Sequence, residues 1–155
     1  MLRPFIIAAV PAAVMALAAG SAGAQQLGTA AEAKALEERA ITELKAGETA
    51  ALTKFNKADG GFRDRDLYVF CYNATTGAFD AHANPALLGT DVRALKEKDG
   101  SPLGEKILEK AKAAGEGTIV SITYNFPKPG TTNPVPKESF VARVGNEVCG
   151  VGYYK

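Results

Sequence analysis

The residues with the clearest chemical potential lie in the last third of the chain, where one lysine stands among aromatic residues. Tyr124 and Phe126 alternate with polar neighbours, which is the two-residue period of a half-buried strand. Lys137 stands where the next strand-like run, 138–144, begins, within reach of several aromatic side chains. Strands, one amine and aromatic rings together predict a pocket for a small anion.

Each candidate side chain also has an ordinary structural interpretation. Lys137 follows a proline at a strand start, so it could be a solvated lysine as well as a carboxylate ligand. Tyr124 and Tyr68 could be core residues, ligand contacts, or both, because a tyrosine ring can be buried while its hydroxyl binds a ligand. His82, the only histidine, could line the pocket as a donor or make a hydrogen bond within its loop.

No combination of residues predicts catalysis or metal binding. A single histidine cannot form a metal cluster, and no spacing of Cys, Asp and Glu around His82 completes a zinc site. Ser101 and Ser139 lack the G-x-S-x-G context of a nucleophile, and Asp91 and Asp99 lie beside turns, where carboxylates commonly act as caps. We therefore predict that the protein is not an enzyme and has neither a metal site nor a cofactor.

The two cysteines, Cys71 and Cys149, both lie in apolar strand-like segments. Two small buried hydrophobic residues would be one explanation of this pattern. An even number of cysteines in an exported chain favours a single disulfide bond instead, and the spacing is too wide for a C-x-x-C redox pair.

The beginning of the chain is typical of an export signal. Arg3 precedes an apolar run, and Ala22-Gly23-Ala24 fits a small-residue cleavage site, so residues 1–24 are predicted to be a signal peptide. Removing them leaves 131 residues, one domain, and takes Lys plus Arg from 18 to 17 against 17 Asp plus Glu. This zero net charge argues against nucleic-acid binding, and no later apolar segment is long enough for a membrane helix.

Periodicity along the mature chain predicts helices and strands in separate groups. Residues 29–46 have an apolar helical face behind a Thr29–Glu32 capping box, and a shorter helix, 49–56, follows. Another helix is predicted after Ser101-Pro102, with Ser101 as its N-cap. Five strand-like runs begin near residues 67, 79, 120, 138 and 147, and Gly145-Asn146 is suited to a tight hairpin turn. This order predicts an α+β fold with an antiparallel sheet.

Several segments together resemble the single Cache domain family, the extracellular PAS-like sensor modules of bacterial chemoreceptors and sensor kinases. The resemblance covers roughly residues 29–155 and lies in RDLYVFCYNATTG, AHANPALLGTDVRALKEKDG, TYNFPKPG, KESFVARV and VCGVGYYK. It implies a five-stranded antiparallel sheet with a long N-terminal helix on one face and a helix-containing loop over the opposite face. It makes residues 25–155 a single Cache-like domain.

The resemblance also implies a pocket for a small organic acid such as acetate, propionate, lactate or pyruvate. Carried onto matching positions, its ligand-binding residues would be Lys137, Tyr124, His82, Tyr68, Phe126 and Phe140. Phe140 stands where the family often has tyrosine, so one hydroxyl donor is missing.

Two functions from different classes follow. The first is a periplasmic sensing module that binds a small carboxylate and, because the chain ends at Lys155, acts through a partner such as a membrane receptor or sensor kinase. The second is a structural or interaction protein with a degenerate pocket, for which Phe140 is the main support. A small exported enzyme is a third alternative, which the absence of any nucleophile–base or metal constellation makes weaker.

Overall fold

The computed structural model describes residues 26–155, so the predicted signal peptide lies outside the described residues. The described chain forms three α-helices and six strands, in the order two helices, three strands, one helix and three strands. The helices are α1 (Ala30–Ala46), α2 (Glu48–Lys57) and α3 (Leu103–Ala113). The strands are β1 (Arg63–Asp64), β2 (Leu67–Asn73), β3 (Phe79–Ala81), β4 (Val120–Pro127), β5 (Pro134–Val144) and β6 (Glu147–Tyr154). Among the described residues, no helix is both long and apolar enough to cross a membrane.

Helix α1 begins where the capping box predicts. The Thr29 hydroxyl accepts from the Glu32 backbone N–H, while the Glu32 carboxylate accepts from the Thr29 backbone N–H at 2.8 Å. Its buried face packs on the sheet and includes the predicted apolar residues Ala33, Leu36, Ala40, Ile41 and Leu44. The helix ends at Gly47, whose N–H donates to the Glu43 carbonyl.

Glu37 lies on the same buried face of α1, although its charge would normally keep it in water. It is fully buried, and neither carboxylate oxygen has a hydrogen-bond partner among residues 26–155. Burial raises the pKa of Glu37 well above its usual value, because the low-dielectric interior disfavours the charged carboxylate. The apolar layer between helix and sheet thus contains a carboxyl group whose neutral form is favoured by burial.

The sheet is antiparallel, with the strand order β1-β2-β6-β5-β4, and β3 also pairs with β2. All five predicted strands are present, and the sixth, β1, is only two residues long. The turn between β5 and β6 is the predicted Gly145-Asn146, with Gly145 at a φ of 58°. The α+β, PAS-like prediction is therefore confirmed.

Each sheet face has its own apolar core, and β2 contributes to both because six of its seven residues are buried. Val69 and Cys71 belong to the cluster under α1 and α2. Tyr68, Phe70 and Tyr72 belong to the cluster under α3 and the loop that precedes it. This second face, together with the loop, positions the candidate site.

The segment between β3 and β4 differs in one detail from the prediction. Its helix begins at Leu103 with Pro102 at the N-cap position, and the buried Ser101 hydroxyl has no hydrogen-bond partner among the described residues. The prediction that Ser101 caps this helix is therefore wrong. Proline at the cap position supplies the fixed φ, but it offers no side-chain acceptor for the first helical N–H groups.

Candidate ligand-binding site

Lys137 is recessed beneath aromatic rings. Its side chain is 1% exposed, and Nζ donates a hydrogen bond of 3.1 Å to the Tyr68 hydroxyl. Nζ lies 4.4 Å from the centroid of the Tyr68 ring, 4.9 Å from that of Tyr154 and 5.5 Å from that of Phe126. Within residues 26–155, no carboxylate lies within ion-pair distance of Nζ. The solvated-lysine interpretation is therefore wrong.

The sheet register explains why this lysine points inward. Lys137 pairs directly with Tyr124 on β4 and with Tyr154 on β6, so the three side chains form one row on the pocket face. The next pair along this face is Ser139 and Gly152. A Cβ atom at Gly152 would overlap Lys137 Cε and Ser139 Oγ, so the glycine leaves the space that the lysine stem occupies.

The environment of Lys137 disfavours its charge. Burial lowers the pKa of Lys137 to about 7, and the Asp66 carboxylate opposes this shift only in part. Asp66 is itself mostly buried, with Oδ1 accepting from the Gly28 N–H at 2.6 Å. At neutral pH the amine is thus poised between its charged and neutral forms, and a nearby anion would favour the charged form.

Tyr68 connects Lys137 to the cavity. Its oxygen accepts from Lys137, so the phenol hydrogen can donate either to the neighbouring Tyr154, whose hydrogen bond adds to the effect of burial in raising the pKa of Tyr68, or to a group in the cavity. Burial raises the pKa of Tyr68 well above its usual value, so the group stays a neutral donor. Tyr68 lines a cavity of about 540 Å³, whereas Lys137 does not touch that cavity directly.

His82 has both of the roles that the sequence left open. Its Nδ1 accepts from the Asn84 backbone N–H at 2.8 Å, and its ring lines the cavity. Burial, and then the charge of Lys137, lowers the pKa of His82 to about 4. At pH 7 the imidazole is therefore neutral, and because Nδ1 is an acceptor, Nε2 carries the hydrogen.

The cavity lies between the sheet edge and two loops. Besides Tyr68, its wall comes from residues 82–85, from Leu87 and Leu95, and from the end of β4 with its following turn, residues 126–131. The predicted residues Tyr68, His82 and Phe126 line it. Lys128, which was not predicted, is half-buried at its rim and is the one charged side chain among its described lining residues.

A smaller chamber of about 20 Å³ lies behind the main cavity and shares Tyr68, His82, Leu95 and Phe126 with it. Tyr124 lines this inner chamber rather than the main cavity, and its hydroxyl is 2.7 Å from the Ser139 hydroxyl. Burial raises the pKa of Tyr124 to about 12. The core and ligand-contact interpretations of Tyr124 therefore remain compatible, as its ring is buried and its hydroxyl is close to the site.

Phe140 does not belong to the pocket, and its prediction as a ligand-binding residue is wrong. Its ring packs with the cluster on the helix face and stacks on Tyr153 with a centroid distance of 6.3 Å. Lys137 and Phe140 are three positions apart in one strand, an odd offset, so their side chains point to opposite faces. The degenerate-pocket alternative thereby loses the residue that supported it.

The disulfide prediction is confirmed, because Cys71 and Cys149 form a bond between directly paired positions of β2 and β6. Glu147 lies with these two cysteines in the one described group of potential metal ligands, whose ligand atoms are all within 4.8 Å of one another. Since both sulfur atoms are used by the disulfide, this group is not a metal site.

Comparison with known proteins identifies the family. A family model described as Single Cache domain 2 matches residues 12–153. The chain belongs to this family. Single Cache domains are small-ligand sensor modules, which agrees with a cavity that neutral donors and a recessed amine surround. No curated protein matches the chain significantly.

Three solved structures show the same Cache fold. A methyl-accepting chemotaxis protein from Vibrio parahaemolyticus RIMD 2210633 has a TM-score of 0.63 and 22% identity, and the match covers 80% of this chain and 86% of that one. A periplasmic sensor domain of a chemotaxis protein has a TM-score of 0.59 and 28% identity, over 78% and 86% of the two chains. A structure described as the basis for carboxylic acid recognition by a Cache chemosensory domain has a TM-score of 0.59 and 25% identity, over 78% and 80%.

Three residues at or near the site were not predicted: Tyr72 in the inner chamber, Tyr154 beside Lys137 and Lys128 at the main cavity. Tyr72 could have been found, because it is four residues from Tyr68 in one strand and therefore lies on the same face. Tyr154 could have been found in the same way from the alternation of β6. Lys128 lies in a turn, where no periodicity indicates which way a side chain points.

Proposed function

We propose that this chain is an exported sensory module that binds a small organic acid of the acetate, propionate, lactate or pyruvate class. The observation that carries the proposal is the recessed amine of Lys137, which has no carboxylate partner within residues 26–155 and contacts a hydroxyl on the cavity wall. A buried amine is costly unless it is paired, so an incoming carboxylate would supply the missing charge.

The donors around the cavity support the assignment of an anionic ligand. Tyr68 can donate its hydrogen outward while Lys137 polarises its oxygen, and the His82 Nε2–H is a second neutral donor. Lys128 adds a positive charge at the rim. Hydrogen bonds to an ionised acceptor are roughly twice as strong as those between neutral groups, so two donors backed by positive charge fit a carboxylate.

The dimensions and the relatives support a small molecule and a signalling role. A cavity of about 540 Å³ lies within the range of small-molecule sites. The similar structures include a periplasmic sensor domain of a chemotaxis protein and a Cache domain that recognises carboxylic acids. The disulfide fits an oxidising compartment such as the periplasm. We propose that the module acts there and signals through a chemoreceptor or a sensor kinase.

A thermal-shift screen on residues 25–155 tests the ligand class. Acetate, propionate, lactate and pyruvate are added one at a time, and calorimetry gives the affinity of each acid that raises the midpoint. A ligand that binds only the native state adds about 2.7 kcal/mol of stability at a hundredfold excess over its Kd. If none of the four acids raises the midpoint or gives a calorimetric signal, the proposed ligand class is wrong.

Lys137→Met tests the anion site, because it keeps an unbranched stem and removes the charge. We expect affinity for the best acid to fall by about tenfold to a hundredfold, as for the loss of a charged hydrogen-bond partner. Tyr68→Phe keeps the ring and removes the direct donor, and should also weaken binding. Lys34→Met, an exposed lysine on α1, is the matched control and should bind as the parent does. Unchanged affinity in folded Lys137→Met would show that the anion binds elsewhere.

A further inference from the structure

The inner chamber contains an unexplained polar atom. Tyr72 lines this chamber and is fully buried, yet its hydroxyl has no hydrogen-bond partner among residues 26–155. Buried hydroxyl groups almost always have a partner, so a group of this kind calls for an explanation. Neither the carboxylate site nor the packing of the sheet makes use of the Tyr72 hydroxyl.

The chamber adjoins the main cavity and is very small. The two spaces share four wall residues, so a substituent on a ligand in the main cavity lies next to the chamber: Tyr68, His82, Leu95 and Phe126. Its volume of about 20 Å³ is enough for one water-sized group, since roughly 10–15 Å³ is the minimum for a water molecule. The chamber can therefore take one substituent of a ligand, but not a whole acid.

The chemistry of the chamber favours an uncharged oxygen. Its polar groups are the phenols of Tyr72 and Tyr124 together with the shared Tyr68 and neutral His82, and no cationic side chain is among its described lining residues. The remaining wall is apolar, including Phe70, Val92, Leu103 and Ile107. A carboxylate placed there would lose its hydration without gaining a counter-charge, which is costly, whereas a hydroxyl or carbonyl oxygen needs only a phenol partner.

We propose that the inner chamber is a subsite for a hydroxyl or carbonyl oxygen on the carbon chain of the acid, and that the Tyr72 hydroxyl is its hydrogen-bond partner. This inference rests on the proposed function, because the acid's carboxylate is taken to bind at Tyr68 and His82. It narrows the ligand class to short acids with an oxygen substituent. A site built to bond a ligand oxygen discriminates against analogues that lack it.

Three acids of equal chain length provide the test. Propionate has no substituent, lactate has a hydroxyl and pyruvate has a carbonyl, and calorimetry gives the Kd of each for the parent and for Tyr72→Phe. We expect the parent to bind lactate or pyruvate about five to tenfold more tightly than propionate, as for one hydrogen bond. In Tyr72→Phe this preference should disappear, while the Kd for propionate stays the same.

Tyr153→Phe is the control, because Tyr153 lies on the opposite sheet face and bonds Glu138 at 2.7 Å. It should keep the parent's selectivity. The midpoint of ligand-free Tyr72→Phe should not fall below that of the parent, since no described bond is lost. A parent without preference, a preference that survives in Tyr72→Phe, or an equal loss for all three acids would overturn the subsite. If the parent binds no acid at all, the proposed function itself fails and the subsite falls with it.

Discussion

The protonation state of Lys137 depends on two opposing effects of its surroundings. The faces of Tyr68, Tyr154 and Phe126 attract the Lys137 ammonium, and each such contact contributes about 0.5–2 kcal/mol, depending on how far it is desolvated. Burial acts in the opposite direction and lowers the pKa to about 7. The charged and neutral forms of Lys137 therefore differ little in free energy near neutral pH, and a bound carboxylate can decide between them.

This balance predicts that acid binding weakens above neutral pH. A bound carboxylate raises the pKa of Lys137, so between the free value of about 7 and the higher bound value, binding requires proton uptake. We expect Kd to be nearly constant below pH 6.5 and to rise by up to about tenfold per pH unit between pH 7 and 9. Calorimetry in two buffers of different ionisation enthalpy at pH 8 should detect the uptake of a proton.

Lys137→Met is the control for this pH effect, because it removes the titrating amine and should bind with the same weak affinity at every pH. His82 does not interfere, as its pKa of about 4 lies far below the range tested. In ligand-free protein the titration of Lys137 contributes the opposite trend, adding stability from pH 7 to 10 because the unfolded lysine alone keeps its proton. The raised pKa values of Glu37 and Glu147 act in the other direction, so this contribution is read from the difference between the parent and Lys137→Met. A Kd that is constant up to pH 9 in the parent would contradict the linkage.

The residue-level predictions took their direction from a resemblance or from a period along a strand. The resemblance drew attention to Lys137, but composition alone favoured an exposed lysine, because recessing it depends on the absence of a side chain at Gly152 on another strand. The error at Phe140 was avoidable, since strand alternation separates it from Lys137. The Tyr124–Ser139 hydrogen bond depends on the β4–β5 register, which the proline-containing connection did not reveal.

At the scale of the element, strand β6 places glycines at alternate positions on its pocket face, and these leave space for side chains of the site. Gly150 and Gly152 lie on the pocket face, where a Cβ at Gly150 would overlap Phe70 and Val141. Because these positions have no side chains, larger side chains of the neighbouring strands can pack directly against the β6 backbone. The lysine stem of Lys137 therefore packs directly over the backbone at Gly152, and the Phe70 ring packs over the backbone at Gly150.

Gly152→Ala should therefore displace Lys137 and weaken binding of the acid. The added methyl group would push Lys137 away from Tyr68, and overpacking of this kind costs about 1–3 kcal/mol of stability. We expect affinity for the best acid to fall about tenfold, as for a weakened charged hydrogen bond. Calorimetry measures this loss and urea unfolding measures the change in stability.

Gly47→Ala is the matched control for the same substitution. Gly47 has a φ of 170°, which any residue adopts, and a Cβ there meets nothing within 4 Å. Its affinity for the acid should equal that of the parent. If Gly152→Ala binds as tightly as Gly47→Ala, the lysine stem does not depend on the glycine.

The element boundaries show why strand β5 was predicted too short. The sequence favoured a strand from residue 138, because Pro134 and Pro136 read as part of a turn. In the structure β5 begins at Pro134 and pairs with β4 from there, while β6 ends beside Lys137. Pro134 and Pro136 lack an N–H group, but they precede the part of β5 that pairs with β6, so the missing donors leave no ladder hydrogen bond to β6 unmade. Neighbouring strands, rather than local propensity, therefore set this boundary.

At the scale of the whole molecule, one sheet separates two layers, an apolar core on one face and the candidate cavity on the other. The layer of α1 and α2 holds an apolar core with the disulfide, and the layer of α3 and the loop holds the candidate cavity. The grouping of helices and strands was sufficient to predict this arrangement. The positions of the loop residues 82–87 over the cavity were not predictable, because irregular backbone has no period from which to infer them.

Removing the disulfide should cost stability throughout the domain. The bond between Cys71 and Cys149 spans 78 residues, and the chain-entropy estimate for a loop of this length is about 4.5 kcal/mol. We expect the double variant Cys71→Ala/Cys149→Ala to unfold at a clearly lower urea concentration. Thiol counting in denatured, unreduced parent protein should find no free thiol among residues 26–155. Equal urea midpoints for the parent and the variant would show that the bond does not stabilise the fold.

The disulfide also constrains how such a protein can diverge. Because Cys71 lies directly opposite Cys149, it fixes the register of the strand that carries Tyr68 and Tyr72. A one-residue insertion inside that strand would exchange its two faces, so these tyrosines would enter the helix layer and leave the cavity. The turn after β4 carries no such coupling and can change in length. Descendants of this sequence would therefore alter the cavity wall by substitution within strands, and its rim by gaining or losing residues.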